Sequence, residues 1–266
     1  MTDHATYLDA KRALDDRSLN RDVLDRFAAE LPPEPEVLEV GAGTATMVER
    51  LVDWGVIDAG RWVAVDAHEE ALSAGEGRIG DAVGNVAVEF RAADAFEFAA
   101  VAAADGERFD AVVGCAFYDA VVGCAFYDVV DAAPAVNAFA KVAPVAYAPI
   151  TYDGATRFEP LDPDDEAVLD RYHRHMREFR PGGPDGAAAL AREATVIAEG
   201  ASPWAIEPPY EAGERTVLAH LLDTVESAVG ETGYDAGDWA ARRREALAEG
   251  RLRYEAANRD LLVRLE

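Results

Sequence analysis

The chain has 266 residues, 50% of them hydrophobic, with 51 acidic and 25 basic side chains and a formal net charge of −26. This length suits one sizeable α/β domain with an insertion, or two small domains. The N-terminus is polar, and no apolar run approaches the roughly eighteen residues of a membrane span. We therefore expect a cytoplasmic protein without membrane contact.

The negative charge argues against a nucleic-acid partner, because such a field repels polyanions. Lys11 and Lys141 are the only lysines, and arginine supplies the remaining basic residues. An acidic, lysine-poor composition is also typical of cytosolic proteins from salt-accumulating halophiles, in which molar salt screens charges beyond about 3 Å. The composition therefore predicts a halophilic protein, whose net charge says little about its partners.

Along the chain, short apolar runs alternate with stretches of helical spacing. The predicted strands cover 37–40, 62–66, 86–90, 109–115, 145–150, 195–198 and 251–258. The predicted helices cover 21–30, 44–54, 69–81, 95–103, 134–142, 164–179, 186–193, 213–230 and 236–249. Strands that alternate with helices predict an α/β fold whose parallel sheet is covered on both faces.

Residues 110–118 recur unchanged as residues 119–127, so Cys115 and Cys124 occupy matching positions. Because the repeat accounts for both cysteines, the sequence argues against a disulfide framework and against a zinc site built from cysteines. A single strand through both copies would be on the order of 60 Å long and would present opposite faces of the two copies. One copy must leave the strand, and we favour the first copy as the strand. The second copy would form a loop or helix near the carboxyl end of this strand, where such folds place their active sites. It is either a harmless insertion or one that damages the active site.

A glycine-rich turn, Gly41-Ala42-Gly43, follows the first predicted strand and opens a helix, which allows close backbone approach to a ligand. A dinucleotide-binding turn needs a third glycine, where this chain has Thr46. An acidic residue, Glu39, stands two residues before the first glycine instead. The alternative is a tight strand–helix turn without a ligand.

Two further carboxylates follow predicted strands. Asp66 ends the second strand, where a carboxylate can accept both hydroxyls of a ribose, a feature shared with NAD proteins. Asp94 follows the third strand and begins Asp94-Ala95-Phe96. Both aspartates could instead be helix N-caps, because aspartate is a preferred capping residue.

Together, the turn with Glu39, Asp66 and Asp94 resembles the class I, Rossmann-like methyltransferases that use S-adenosylmethionine (SAM), and the chain is similar to uncharacterised members from halophilic microbes. The motifs span residues 36–150. The resemblance implies a doubly wound, mostly parallel, seven-stranded sheet with an antiparallel last strand and helical insertions in the C-terminal half. It also implies that Asp94 accepts a hydrogen bond from the amino group of the adenine ring. The implied cofactor contacts are Glu39, Gly41, Ala42, Gly43, Asp66, Ala67, Asp94, Ala95 and Cys115.

This resemblance divides the chain into three parts of one structural domain. Residues 1–30 form an N-terminal helical cap, 31–153 the SAM-binding core, and 154–266 a helical insertion or lid that also completes the sheet. The stretch from Tyr7 to Asn20 is polar and irregular, and it could close over SAM through Tyr7 and Arg17.

Acceptor-side residues should follow the later strands. After the fourth strand these are Phe117 and Tyr118, or Phe126 and Tyr127, and after the fifth they are Tyr152 and Asp153. We expect Tyr152, His173 and His175 as candidates for catalysis, with a histidine as general base. The candidates for substrate binding are Tyr118, Tyr172 and Trp204, although Trp204 could equally pack in the core. His173 and His175 lie two residues apart and do not share a helix face, so no metal site is expected.

The favoured function is a SAM-dependent methyltransferase that acts on a small molecule. An Asn-Pro-Pro-Tyr type motif is absent after the fourth strand, which disfavours methylation of DNA adenine or protein glutamine. Modification of RNA or protein remains an alternative, as does an inactive SAM-binding protein in which the repeat has damaged the site. An NAD-dependent oxidoreductase is disfavoured by the missing third glycine.

Overall fold

A computed structural model describes residues 4–114, 126–180, 182–211 and 213–266. Its strands are β1 Glu36–Val40, β2 Ala59–Asp66, β3 Ala82–Val83, β4 Asn85–Ala92, β5 Ala111–Gly114, β6 Val145–Glu159, β7 Thr195–Ala201, β8 Trp204–Ile206 and β9 Arg253–Arg264. Its helices are α1 His4–Ser18, α2 Arg21–Glu30, α3 Thr46–Asp53, α4 Glu69–Ile79, α5 Ala95–Asp105, α6 Phe126–Val129, α7 Ala132–Phe139, α8 Asp165–Phe179, α9 Gly186–Glu193, α10 Glu214–Glu231 and α11 Gly237–Ala248.

The described strands form one sheet in the order β3-β4-β2-β1-β5-β6-β9-β7, with β8 paired beside β9. β4, β2, β1, β5 and β6 are mutually parallel, whereas β9 is antiparallel to β6, β7 and β8. The expected Rossmann-like, mostly parallel sheet with an antiparallel last strand is therefore confirmed. The two short strands β3 and β8 are additions to the seven expected.

The central strands are apolar because helices cover both faces of the sheet. Successive residues point to opposite faces. On β1, Val37 packs into one core with Leu24 of α2 and Leu218 of α10. The next residue, Leu38, packs into the other core with Ala135 of α7. In the part of the chain that the model describes, no helix is long and apolar enough to cross a membrane.

The prediction that the N-terminal stretch is irregular is wrong, because this stretch forms helix α1. Its buried positions include Tyr7, Lys11, Leu14 and Asp15, which is a regular helical spacing. Two of these four residues are charged and pair with each other at 3.3 Å, which hides the apolar pattern. Helix α1 packs on α10, where Tyr7 stacks on His220 and Arg17 pairs with Glu214.

β6 is longer than predicted, because it continues from residue 150 to Glu159 through a bulge at Ile150, whose φ is 48°. β9 runs to Arg264, past residue 258 where the local pattern ends, but within the antiparallel last strand that the resemblance implies over Arg251 to Leu265. The bulge is held by Asp260, which is fully buried. Its Oδ1 accepts a bond from the Ile150 N–H at 2.8 Å, and its Oδ2 accepts bonds from the Tyr147 hydroxyl and the Asn20 N–H, both at 2.9 Å. One carboxyl group on β9 therefore joins β6 to the start of α2.

Replacing Asp260 with asparagine should lower the free energy of unfolding by about 1–3 kcal/mol, because an amide has one acceptor oxygen and leaves a buried donor without a partner. Tyr147→Phe removes a single donor, and we expect a loss of about 1 kcal/mol. Urea denaturation of both variants measures this. Equal stability of Asp260→Asn and the unmodified chain would contradict the conclusion that Asp260 joins β6 to the start of α2.

Candidate functional site

The turn after β1 takes a conformation that requires glycine. Gly41 and Gly43 have φ angles of 63° and 55°, in the left-handed region that glycine enters without steric penalty. The turn is anchored from β2, since the Ala42 N–H donates to the Val65 carbonyl at 3.1 Å. On its outer side, Arg78 of α4 donates to the Thr44 carbonyl at 2.7 Å. The glycine turn therefore has a fixed shape in the described structure.

Asp66, at the end of β2, links two turns. Its Oδ2 accepts a bond from the Gly43 N–H at 2.8 Å. Its Oδ1 accepts one from the His68 N–H at 2.8 Å and lies 3.0 Å from His68 Nδ1. A carboxylate has about four acceptor positions, so these contacts use most of them. Asp66 therefore shapes the turn directly, and sugar hydroxyls would have to share it with these donors.

Glu39 lies inside the protein, beneath the glycine turn. Its side chain is fully buried, and its Oε2 accepts a bond from the Trp62 indole N–H on β2 at 2.7 Å. Asp94 has a different setting, because it is exposed and forms the N-cap of α5. Its Oδ1 accepts the N–H groups of Phe96 and Glu97 at 2.9 and 3.0 Å. The capping role and a ligand contact are compatible, since the cap uses one of the two carboxylate oxygens.

An open cleft with a cavity volume of about 190 Å³ lies at the carboxyl ends of β1, β2 and β4. Its walls are Gly41, Val65, Asp66, Ala67, His68, Ala93, Asp94, Ala95, Phe96, Phe126, Val129 and Val130. The chain proceeds from β1 to β2 and β4 on one side and to β5 and β6 on the other. Ligands of open α/β sheets bind at such a reversal of strand order. The cleft is therefore where this fold places a ligand.

Five of the predicted cofactor residues line this cleft: Gly41, Asp66, Ala67, Asp94 and Ala95. Ala42 and Gly43 lie buried in the turn beside it. Cys115 and Tyr118 fall outside the described residues. The sequence did not point to His68, Val129 or Val130, and it named Phe96 only as part of its motif. It offered Phe126 only as an alternative on the acceptor side, and the structure places Phe126 in the wall of the cleft. The position of His68, two residues after Asp66, is a local signal that could have identified it.

Two of the residues predicted for catalysis, Tyr152 and His173, lie side by side. The Tyr152 hydroxyl lies 2.9 Å from His173 Nε2 and 2.6 Å from the Thr156 hydroxyl. The Tyr152 N–H donates to the carboxylate of buried Asp128 at 3.1 Å. Asp128 belongs to α6, whose first residue, Phe126, lines the cleft. Helix α6 therefore connects the cleft to the tyrosine–histidine pair.

Burial lowers the pKa of His173 below its ordinary value, and the nearby Arg177 charge lowers it further, while Asp170 opposes the shift. The imidazole is then neutral at neutral pH and can accept a proton. In that state Nε2 can accept a hydrogen bond from the Tyr152 hydroxyl.

The other acceptor-side candidates lie elsewhere. His175 is buried, and its Nε2 lies 2.8 Å from a carboxylate oxygen of Glu231 on α10, away from His173. Tyr172 and Trp204 are 4% and 2% exposed and belong to the main core. Trp204 packs under the Lys11 ammonium, 4.9 Å from its ring centre. Among the described residues, no three His, Cys, Asp or Glu side chains group closely enough to hold a metal ion.

No protein-family model and no curated protein matches this chain. Among solved structures, a SAM-dependent methyltransferase from Thiobacillus denitrificans, in complex with S-adenosyl-L-homocysteine, is 15% identical, with 99% of each chain covered and a TM-score of 0.46. The geranyl diphosphate C-methyltransferase from Streptomyces coelicolor is 12% identical over 92% of this chain and 74% of that one, with a TM-score of 0.45. The cyclopropane synthase MmaA2 from Mycobacterium tuberculosis is 14% identical over 89% and 82%, with a TM-score of 0.42.

The environment of His173 gives a titration that can be measured by NMR. We expect the pKa of His173 to lie below that of a fully exposed histidine. Arg177→Gln should raise it by removing a positive charge, and Asp170→Asn should lower it by removing a negative one. A shift in the same direction for both variants, or none for either, would contradict this electrostatic account.

Proposed function

We propose that this chain is a methyltransferase that binds SAM in the cleft and transfers a methyl group to a small-molecule acceptor. One observation carries the proposal. The cleft at the strand-order reversal joins the glycine turn after β1, Asp66 after β2 and Asp94 after β4. These are the three elements that, in this order, are typical of class I methyltransferases.

The residues present suit the chemistry of this cofactor. SAM carries a sulfonium and an ammonium, and the carboxyl groups of Asp66 and Asp94 give the lining of the cleft a negative charge that suits a cation. Phe96, Phe126 and Val130 supply an apolar wall suited to the faces of an adenine ring. The glycine turn lets the backbone approach the ligand closely.

When bound, SAM would supply an electrophilic methyl group. The protein would then contribute alignment, exclusion of water and acceptance of a proton. Asp66 and Asp94 would hold the sugar and base. On the acceptor side, Tyr152 Oη would accept the acceptor's proton as its own passes to neutral His173 Nε2, 2.9 Å away. Asp128 would keep Tyr152 in place through its backbone N–H.

Isothermal titration in molar salt tests the proposal directly, with SAM, S-adenosylhomocysteine and NADH as separate ligands. We expect binding of the first two and none of NADH. Folded protein that binds neither SAM nor S-adenosylhomocysteine would refute the proposed function. Binding of NADH alone would favour an oxidoreductase.

Asp66→Ala should weaken S-adenosylhomocysteine binding by about 1.5–3 kcal/mol, the usual contribution of hydrogen bonds to a charged group. It should also lower the melting temperature, because the Gly43 N–H loses its acceptor. Asp66→Asn keeps an oxygen for that N–H and should recover stability more than affinity. Asp58→Ala is the control, since Asp58 is exposed just before β2. Unchanged affinity in Asp66→Ala would remove Asp66 from the site.

Asp94 allows capping and ligand binding to be separated. Asp94→Ala should lose both affinity and about 0.5–2 kcal/mol of stability, because alanine cannot cap α5. Asp94→Ser keeps a capping oxygen on a shorter side chain, so stability should stay near that of the unmodified chain while affinity falls. Titration and thermal denaturation measure the two effects, with the exposed Asp105→Ala as control. Full affinity in Asp94→Ser would assign Asp94 to capping alone.

A further inference from the structure

The two copies of the repeat contribute to different elements of the described structure. The first copy supplies strand β5, Ala111–Gly114, as predicted from the sequence. The last two residues of the second copy, Phe126 and Tyr127, begin helix α6. Phe126 lines the cleft, and its ring lies 5.7 Å from that of Phe139 and 6.3 Å from that of Phe96.

Tyr127 occupies a closely fitted position against three glycines. A Cβ on Gly114 would lie 2.6 Å from the Tyr127 ring, so only glycine at the end of β5 leaves room for it. A Cβ on Gly186 would lie 2.7 Å from the Tyr127 carbonyl oxygen, and one on Gly182 would overlap the same oxygen. Tyr127 is fully buried there. The end of the first copy's strand therefore fits the end of the second copy.

The two ends also meet closely enough to be joined directly. A Cβ on Gly114 would lie 3.4 Å from the Phe126 Cβ, so the two Cα atoms are at most about 6.5 Å apart. If residues 115–123 were removed, Gly114 would be followed by Cys124, Ala125 and Phe126. Three Cα-to-Cα steps can span about 11 Å, so this connection reaches without moving either end.

We infer that residues 115–123 are dispensable for the fold and the cleft, and that Phe126 is the cofactor-contacting member of the repeated pair Phe117 and Phe126. The part that concerns the cofactor rests on the proposed function. The duplication then leaves the site intact, because the first copy supplies β5 up to Gly114 and the second copy provides the aromatic wall through Phe126. Removing residues 110–118, 115–123 or 119–127 yields the same sequence, so one variant represents the chain with a single copy.

Circular dichroism and titration with S-adenosylhomocysteine test the shortened chain. We expect a cooperative thermal transition at a melting temperature equal to or above that of the full chain, and an affinity within about threefold. A shortened chain that fails to fold, or that folds and binds more than about tenfold more weakly, would overturn the inference.

The repeat provides a matched pair of substitutions in the full chain. Phe126→Ala should weaken S-adenosylhomocysteine binding by about ten- to a hundredfold, in line with the burial of an aromatic side chain. Phe117→Ala, in the same local sequence, should change it by less than about twofold. If Phe126→Ala does not fold, Phe126→Leu and Phe117→Leu provide the same contrast with a smaller loss. Equal losses, or a loss confined to position 117, would overturn the assignment.

The failure of this inference can be distinguished from failure of the proposed function. If the full chain binds no S-adenosylhomocysteine, the proposed function fails, while the folding of the shortened chain still decides whether residues 115–123 are dispensable. If the full chain binds and Phe126→Ala binds equally well, the proposed function stands and the role of Phe126 is refuted.

Discussion

The hydrogen bond from the Gly43 N–H to the Asp66 carboxylate is the contact on which the candidate site depends. It holds the turn after β1 against the end of β2, at the place where the strand order reverses. Two other contacts hold the left-handed turn, the Ala42–Val65 backbone bond to β2 and the Arg78 contact from α4. Asp66 is 5% exposed, so this bond is shielded from competing water. Shaping the turn and lining the cleft are thus combined in one carboxylate.

A second constraint connects the cleft to the pair formed by Tyr152 and His173. Helix α6 has only four residues, yet Phe126 lines the cleft and Asp128 holds the backbone of Tyr152. So short a helix cannot be stable by itself, and its position comes from tertiary packing. Gly114, Gly182 and Gly186 supply that packing by leaving room for Tyr127. The positions of Phe126 and Tyr152 therefore depend on three glycines that do not line the cleft.

The sequence predicted the parts of the structure that local pattern determines. The glycine turn, Asp66 and Asp94 each follow an apolar strand, and parallel strands bring such positions to one edge of a sheet. Helix α1 was missed because Lys11 and Asp15 are buried as a pair, and no apolar pattern reveals such a pair. The extension of β6 was missed because the bulge at Ile150 is held by Asp260, 110 residues away. The sequence left Phe117 and Phe126 as alternatives, because two identical copies present the same local pattern and only tertiary packing distinguishes them.

The pairing of His173 with Tyr152, rather than with His175, follows from helix geometry together with the surroundings of α8. Residues two apart on a helix point in different directions, so one histidine faces β6 and the other faces α10. Burial and Arg177 disfavour a charge on His173, whereas His175 bonds Glu231 on the other side of the helix. A general base needs to be neutral before it can accept a proton. The contact with Tyr152 and the lowered pKa together make His173 the stronger candidate for a base on α8.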